Sequence, residues 1–206
     1  MIAPFPFIHL ASRSPRRREI LAQIGVRFEV LLPERDTERA LEVDETPRIG
    51  EPPADYVLRL AREKAAAGWT LLRLRALPDA PVLAADTTVC VEGEIIGKPA
   101  DGAEAEAILT RLSGRTHEVH TGVAVALGDR IEACVSTTAV TFGALGPDQI
   151  RRYVGTGDPL DKAGAYGIQG PAGVFVSAIA GSHTGVMGLP VYETAQLLGR
   201  FGLMLP

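Results

Sequence analysis

Asp86 is the first residue in this chain that demands chemistry. It stands inside the run Val82-Leu83-Ala84-Ala85-Asp86-Thr87-Thr88-Val89-Cys90-Val91, which is otherwise apolar enough to be buried. Desolvating a carboxylate is costly unless a cation, a metal or well-placed donors compensate it. The cations that could do so are Arg16 and Arg17, in Ser12-Arg13-Ser14-Pro15-Arg16-Arg17, and the lysines Lys64, Lys98 and Lys162. A second acid, Glu45, sits in the loop-like stretch Val43 to Pro53, whose carboxylates either bind a divalent metal through oxygen or are simply solvated. Cations and carboxylates around one cleft suit phosphate chemistry: the cations hold phosphates, the acids hold a metal, and one acid orients or deprotonates water.

The elements that must position these residues are legible in part. Phe5 to Ala11 reads as a short buried strand. Ser14 as N-cap, Pro15 at the first helical position and the stripe Ile20, Leu21, Ile24 predict a helix ending at Gly25. Strand, serine turn and helix start together offer free N–H groups and guanidinium groups to an anion; the alternative is a solvated basic turn. Val26 to Leu32 reads as a second strand. Ala54 to Ala67 reads as a helix with Tyr56, Val57, Leu60, Ala61 and Ala65 on one face. Lys64 borders that face, where it either snorkels to water or points into a cleft.

The apolar run with Asp86 turns back at Glu92-Gly93. Asp101 and Glu104 form a capping box for a helix through Leu112. Val119 to Leu127 and Ile131 to Phe142 make a long hairpin around Gly128-Asp129. Pro147 to Val154 is a short helix, and the glycines at 164, 167 and 170 permit close approach to a ligand. Val174 to Ile179 is a strand, Gly181 to Gly188 a loop, and Pro190 to Gly199 a closing helix. Interleaved strands and helices with hairpins predict an α/β fold whose central sheet is mixed and flanked by helices.

Several function classes are disfavoured. The net charge of -4 and aromatic content of 5% argue against nucleic-acid partners. The start, Met1 to Ala11, has its arginines after the apolar stretch, the wrong order for a signal peptide, and no apolar run approaches the ~20 residues of a membrane span. A cytoplasmic protein is expected. Cys90 and Cys134 lack metal-type spacing and are expected to be free thiols. His117 and His120 lie three apart in a strand, face opposite sides and lack the HExxH pattern, which argues against zinc.

Six stretches occur in an order that resembles the Maf family. They are Ser12-x-Ser14-Pro15-Arg16-Arg17, Asp44-Glu45-Thr46-Pro47, Leu60-Ala61-Arg62-Glu63-Lys64-Ala65, Ala85-Asp86-Thr87, Gly97-Lys98-Pro99 and Asp161-Lys162-Ala163-Gly164-Ala165-Tyr166-Gly167-Ile168-Gln169-Gly170. The resemblance runs from about Ile8 to Leu198. The last stretch looks like the subgroup acting on dTTP and UTP.

The resemblance implies a nucleoside triphosphate pyrophosphatase of inosine-triphosphate-pyrophosphatase-like fold. Such a fold has a curved mixed sheet and two lobes around a cleft, here as one domain over 1–206, with a homodimer as the expected assembly. It also implies Mg²⁺ or Mn²⁺, with Asp86 as the acid that accepts a proton from water and Glu45 beside the metal. Arg16, Thr87 and Gln169 fall at specificity positions. Arg17, Lys64 and Lys98 match phosphate-binding positions, and Ser12, Ser14 and Lys162 are expected to join them. Modified pyrimidine nucleotides are further expected substrates.

Two departures bear on this. Arg13 stands where many relatives have a small glycine, which either changes the local backbone approach or adds a cation facing the triphosphate. The segment Glu34 to Glu42 is long, which leaves Glu38 as an alternative metal acid. A different class of function is a non-catalytic nucleotide-binding regulator of cell division; retention of both acids and all the cations speaks against it.

Overall fold

The structure, a computed structural model, describes residues 5–205; residues 1–4 of the apolar amino-terminal stretch and residue 206 lie outside it. Among the described residues seven strands form one sheet: β1 (Ile8–Leu10), β2 (Phe28–Val30), β3 (Val82–Val91), β4 (Glu94–Ile96), β5 (Thr116–Leu127), β6 (Arg130–Phe142) and β7 (Val176–Ala180). The order is β2-β1-β3-β5-β6-β7, with β4 also paired to β3. β1 runs parallel to β2 and β3, and the other pairs are antiparallel, so the sheet is mixed as expected. The helices are α1 (Pro15–Gln23), α2 (Pro53–Leu74), α3 (Gly102–Leu112), α4 (Pro147–Val154), α5 (His183–Met187) and α6 (Val191–Arg200).

Two elements depart from the sequence reading. Gly181 to Gly188, expected as loop, contains the short helix α5, capped by the Ser182 side chain on the Gly185 N–H. Helix α2 continues seven residues past Ala67, through Gly68, to Leu74. A glycine inside a helix costs roughly 0.5–1 kcal/mol relative to alanine. Here it is the condition for packing, because a Cβ on Gly68 would come within 2.8 Å of Val82 and 3.0 Å of Ala11. Gly122 on β5 plays the same part further along α2, since its Cβ would lie 2.3 Å from the Val57 carbonyl oxygen. Ala84, Ala124 and Ala126 lie beneath Ala61 and Ala65, and these small residues seat the helix close to the sheet.

The opposite face carries two apolar clusters. One gathers Leu83 and Ala85 of β3 with Val123 and Val125 of β5 under α1 and α6. The other gathers Val89, Val91 and Val119 with α3, α4 and the aromatic residues Phe142, Tyr166 and Phe175. Between them the paired residues Thr87 and Thr121 interrupt the apolar surface. The two lobes are these two clusters, both built on the same pair of strands.

Candidate active site

The opening of the site follows from strand lengths. β1 accompanies β3 only to Leu83, and β4 joins it only at Val89. Among the described residues, Ala84 to Thr88 therefore have a strand neighbour on the β5 side alone. A cleft of about 1000 Å³ lies along this free edge, bounded by the turn after β1, the loop before α2 and the glycine-rich segment. Because side chains alternate across a strand, Asp86 points toward α2 while Thr87 points toward α1 and α5.

On the α2 side, Lys64 Nζ lies 2.6 Å from Asp86 Oδ1 and 2.6 Å from Glu45 Oε1. Asp86 pairs in register with Gly122, whose missing side chain lets α2 descend and deliver Lys64. Asp86 is 8% exposed, so the compensating cation sought from the sequence is a lysine of the neighbouring helix. Glu45 is more exposed and is held by its backbone: its carbonyl accepts from the Tyr56 hydroxyl at 2.9 Å. Partial burial raises the Glu45 pKa, but Lys64, then Lys98 and Arg17, overcome this and hold it below the ordinary carboxylate value. Tyr56, read from the sequence only as part of an apolar stripe, is pushed up to about 12 by burial and by the charges of Asp86 and Glu45.

On the other side, Arg17 fastens three elements together. Its Nε donates to the Gly188 carbonyl at 2.8 Å, one terminal nitrogen to Ser12 Oγ at 3.0 Å, and the other to Thr87 Oγ1 at 3.2 Å. Ser12 Oγ also accepts from the Ser14 N–H at 3.2 Å, which shapes the turn. Burial lowers the Arg17 pKa and Asp86 opposes that shift; a guanidinium remains charged regardless.

Thr121 Oγ1 donates to the Gly185 carbonyl at 2.8 Å and lies 2.9 Å from Thr87 Oγ1. A hydroxyl has one proton. With the Thr121 proton committed to Gly185, Thr87 donates to Thr121 and accepts from Arg17, which leaves Thr87 a lone pair and no proton to offer a ligand. Thr121 was not distinguished by sequence, since only strand register sets it opposite Thr87.

The remaining expected residues divide. Lys98 is exposed on the rim and acts on Glu45 through its charge. Arg16 faces the glycine-rich segment, with a guanidinium nitrogen 3.2 Å from where a Cβ on Gly167 would stand. Lys162 lines the cleft, but its ammonium is already shared by Asp158 and Asp161. Arg13 is mostly exposed and paired with Glu42 at 2.9 Å. Gln169 is exposed and lies outside the cleft lining, so the structure does not bring it to the other specificity positions.

Glu38 is removed as a metal acid. It is 1% exposed, takes two hydrogen bonds from Arg75 at 3.0 and 2.7 Å, and accepts the N–H groups of Glu34 and Arg35. The Arg75 hydrogen bonds bring its pKa down to about 2, and no donor capacity faces the cleft.

His117 and His120 point to opposite faces, as their spacing requires. His117 is packed on Phe142 and bonded to the Tyr166 hydroxyl at 2.8 Å; burial lowers its pKa to about 4. His120 meets Thr137 on the α2 side.

Comparison with known proteins bears on the whole chain. The Maf-like protein family matches residues 7–201. Proteins named dTTP/UTP pyrophosphatase from Aromatoleum aromaticum and Dechloromonas aromatica are 58% and 57% identical to it. These alignments cover 96% and 95% of this chain and 97% of each relative. The protein of the same name from Chromobacterium violaceum is 52% identical over 97% of this chain and 96% of its own. Among solved structures, the Staphylococcus aureus Ham1 protein aligns over 66% of this chain and 71% of its own, at 17% identity and a TM-score of 0.43. No helix among the described residues is long and apolar enough to cross a membrane. A family match that spans the cleft, the sheet and both apolar clusters leads to one conclusion: the chain belongs to the Maf family.

Proposed function

We propose that this protein is a nucleoside triphosphate pyrophosphatase that hydrolyses dTTP, UTP and modified pyrimidine nucleotides to the monophosphate and pyrophosphate. The observation that carries the reading is the cleft itself: Asp86 and Glu45 share one cation on one side, and Arg17 stands at the serine turn on the other. The names of relatives at 50–58% identity support the substrate class.

Ser12, Ser14, Arg17, Lys64, Lys98 and Lys162 line or border the cleft and supply the donors for a triphosphate. Lys162 must first be released from Asp158 and Asp161. Asp86 accepts the proton of the attacking water as the water oxygen bonds to the α-phosphorus; the bond from that phosphorus to the bridging oxygen breaks, and pyrophosphate leaves with the bridging oxygen. The two carboxylates of Glu45 and Asp86 are hard oxygen donors converging on one cationic position, which fits Mg²⁺ or Mn²⁺. When bound, such an ion neutralises charge on the phosphate oxygens. Lys64 then keeps only part of its present ion pairing.

Arg16 and Thr87 face the substrate as specificity residues. Thr87, with no free proton, suits the N3–H donor of thymine or uracil and not the N3 acceptor of cytosine. Gln169 joins them only through movement of the glycine-rich segment. The test is a turnover panel across the common nucleoside triphosphates with Mg²⁺ or Mn²⁺, following pyrophosphate. Release confined to dTTP and UTP is expected. Saturable binding without turnover would instead support a nucleotide-sensing regulator.

A further inference from the structure

Strand register brings together three side chains that sequence spacing keeps apart. Cys90 on β3 pairs directly with Glu118 on β5, and His120 follows Glu118 by two residues, on the same face. The Cys90 sulfur, one carboxylate oxygen of Glu118 and one imidazole nitrogen of His120 lie within 4.8 Å of one another.

His120 adds an independent sign. It is 6% exposed, its Nδ1 meets Thr137 Oγ1 at 2.9 Å, and its Nε2 is buried with no hydrogen-bond partner. Glu118 Oε2 stands 3.3 Å from that nitrogen, without the alignment of a hydrogen bond.

We propose that Cys90, Glu118 and His120 form a zinc site separate from the cleft. Thiolate, imidazole and carboxylate are the donors zinc takes, with bonds of about 2.0–2.3 Å and ligand atoms about 3.5 Å apart. Glu118 Oε2 already lies 3.3 Å from the His120 nitrogen, within that spacing, and its side chain is exposed enough to adjust. The Nδ1 contact to Thr137 is the outer-shell bond that aims the opposite nitrogen at a metal. Solvent, which reaches Glu118, supplies the fourth position.

None of the three lines the cleft. Cys90 lies on the same face of β3 as Asp86, four residues on, about 13 Å along the strand. The sulfur and nitrogen donors disfavour magnesium, so the two sites sort their metals by chemistry.

The experiment adds Co²⁺, then Zn²⁺, to the full chain in excess Mg²⁺ and without nucleotide. One equivalent of Co²⁺ should bind with a thiolate-to-cobalt charge-transfer band and tetrahedral d–d bands, both erased by Zn²⁺. Cys90→Ser should abolish the charge-transfer band and Cys134→Ser should leave it. His120→Gln and the surface change Glu118→Gln each remove a direct ligand and should weaken binding by at least the roughly 10–100-fold typical of outer-shell changes. These two carry the test if Cys90→Ser fails to fold. No thiolate band in the parent, a band that depends on Cys134, or binding unaffected by His120→Gln and Glu118→Gln would overturn the proposal.

Discussion

Lys64 Nζ stands 2.6 Å from Asp86 Oδ1 and at the same distance from Glu45 Oε1, so a single ammonium is shared by two acids contributed by a strand and a loop, and the group keeps a net negative charge. That position is also where a divalent ion would be drawn, and the two cations compete for the same oxygens. Replacing the lysine by an uncharged side chain leaves two carboxylates whose mutual repulsion a divalent metal relieves more strongly than before. Lys64→Met should lower the Mg²⁺ concentration needed for half-maximal dTTP hydrolysis by about tenfold, roughly 1.4 kcal/mol of metal affinity, while weakening triphosphate binding. A metal titration midpoint that is unchanged or higher would count against the shared position.

Asp86→Asn keeps the shape of the side chain and removes its capacity to accept a proton. Turnover of dTTP should fall by about 10²–10⁴-fold, with nucleotide binding largely retained when measured by calorimetry. A near-normal rate would move the basic group elsewhere.

The proton of Thr87 is directed away from the cleft because Thr121 spends its own on the Gly185 carbonyl. Thr121→Val removes that acceptor and frees the Thr87 hydroxyl to donate. The ratio of kcat/KM for dTTP over dCTP should then fall, by about tenfold if one hydrogen bond's worth of discrimination is lost. An unchanged ratio would show that Thr87 does not read the base.

Glu38 binds Arg75 with its pKa held at about 2, well below the ordinary value of 4.5. A depressed folded-state pKa contributes stability that is present above the unfolded value and lost as pH falls toward the folded one. The protein should therefore lose stability between about pH 4.5 and pH 2 as the Glu38 carboxylate is protonated and its pairing with Arg75 is lost. Glu38→Gln should flatten that acid limb in urea titrations, and an undiminished limb would assign it to other carboxylates.

Much of the fold was legible because its signals are local. The α4 bounds, Pro147–Val154, and the Asp101 cap that opens α3 depend on residues a few positions apart, although the Glu104 side chain reaches the Ala100 N–H and not that of Asp101, so the expected capping box is only half formed. The Asp86 run read correctly as a buried strand for the same reason. What was hidden depends on distant partners. Gly68 reads as a stop signal until Val82 and Ala11 are set against it, and Tyr56 reads as core until Glu45 folds over its hydroxyl. Glu38 and Glu45 are indistinguishable in sequence, and only Arg75, 37 residues away, claims the first. Gln169 was expected beside Thr87, but the backbone after Tyr166 turns its side chain to the surface.

Gly122→Ala should be severe for a residue without a functional group. A Cβ there would stand 2.3 Å from the Val57 carbonyl oxygen, so α2 must lift from the sheet. Overpacking of this kind costs about 1–3 kcal/mol. Lys64 would be carried away from Asp86, so activity should fall in the fraction that remains folded. Full activity in a folded alanine variant would show that the helix can shift along its axis instead.

Both apolar clusters are built on β3 and β5, which run unbroken from one lobe into the other. The molecule is thus sprung like a single leaf and not jointed like a pair of jaws, because bending at Thr87 would break ladder hydrogen bonds in both strands at once. Enclosure of a substrate falls to segments outside the strands, above all the one between Val43 and Pro52 that carries Glu45 and is held to α2 by side-chain bonds such as Tyr56 to the Glu45 carbonyl and Arg59 to Glu51. On nucleotide addition, amide exchange should slow in that segment and remain unchanged through the centre of β3 and β5; altered exchange in the strands would reveal a joint.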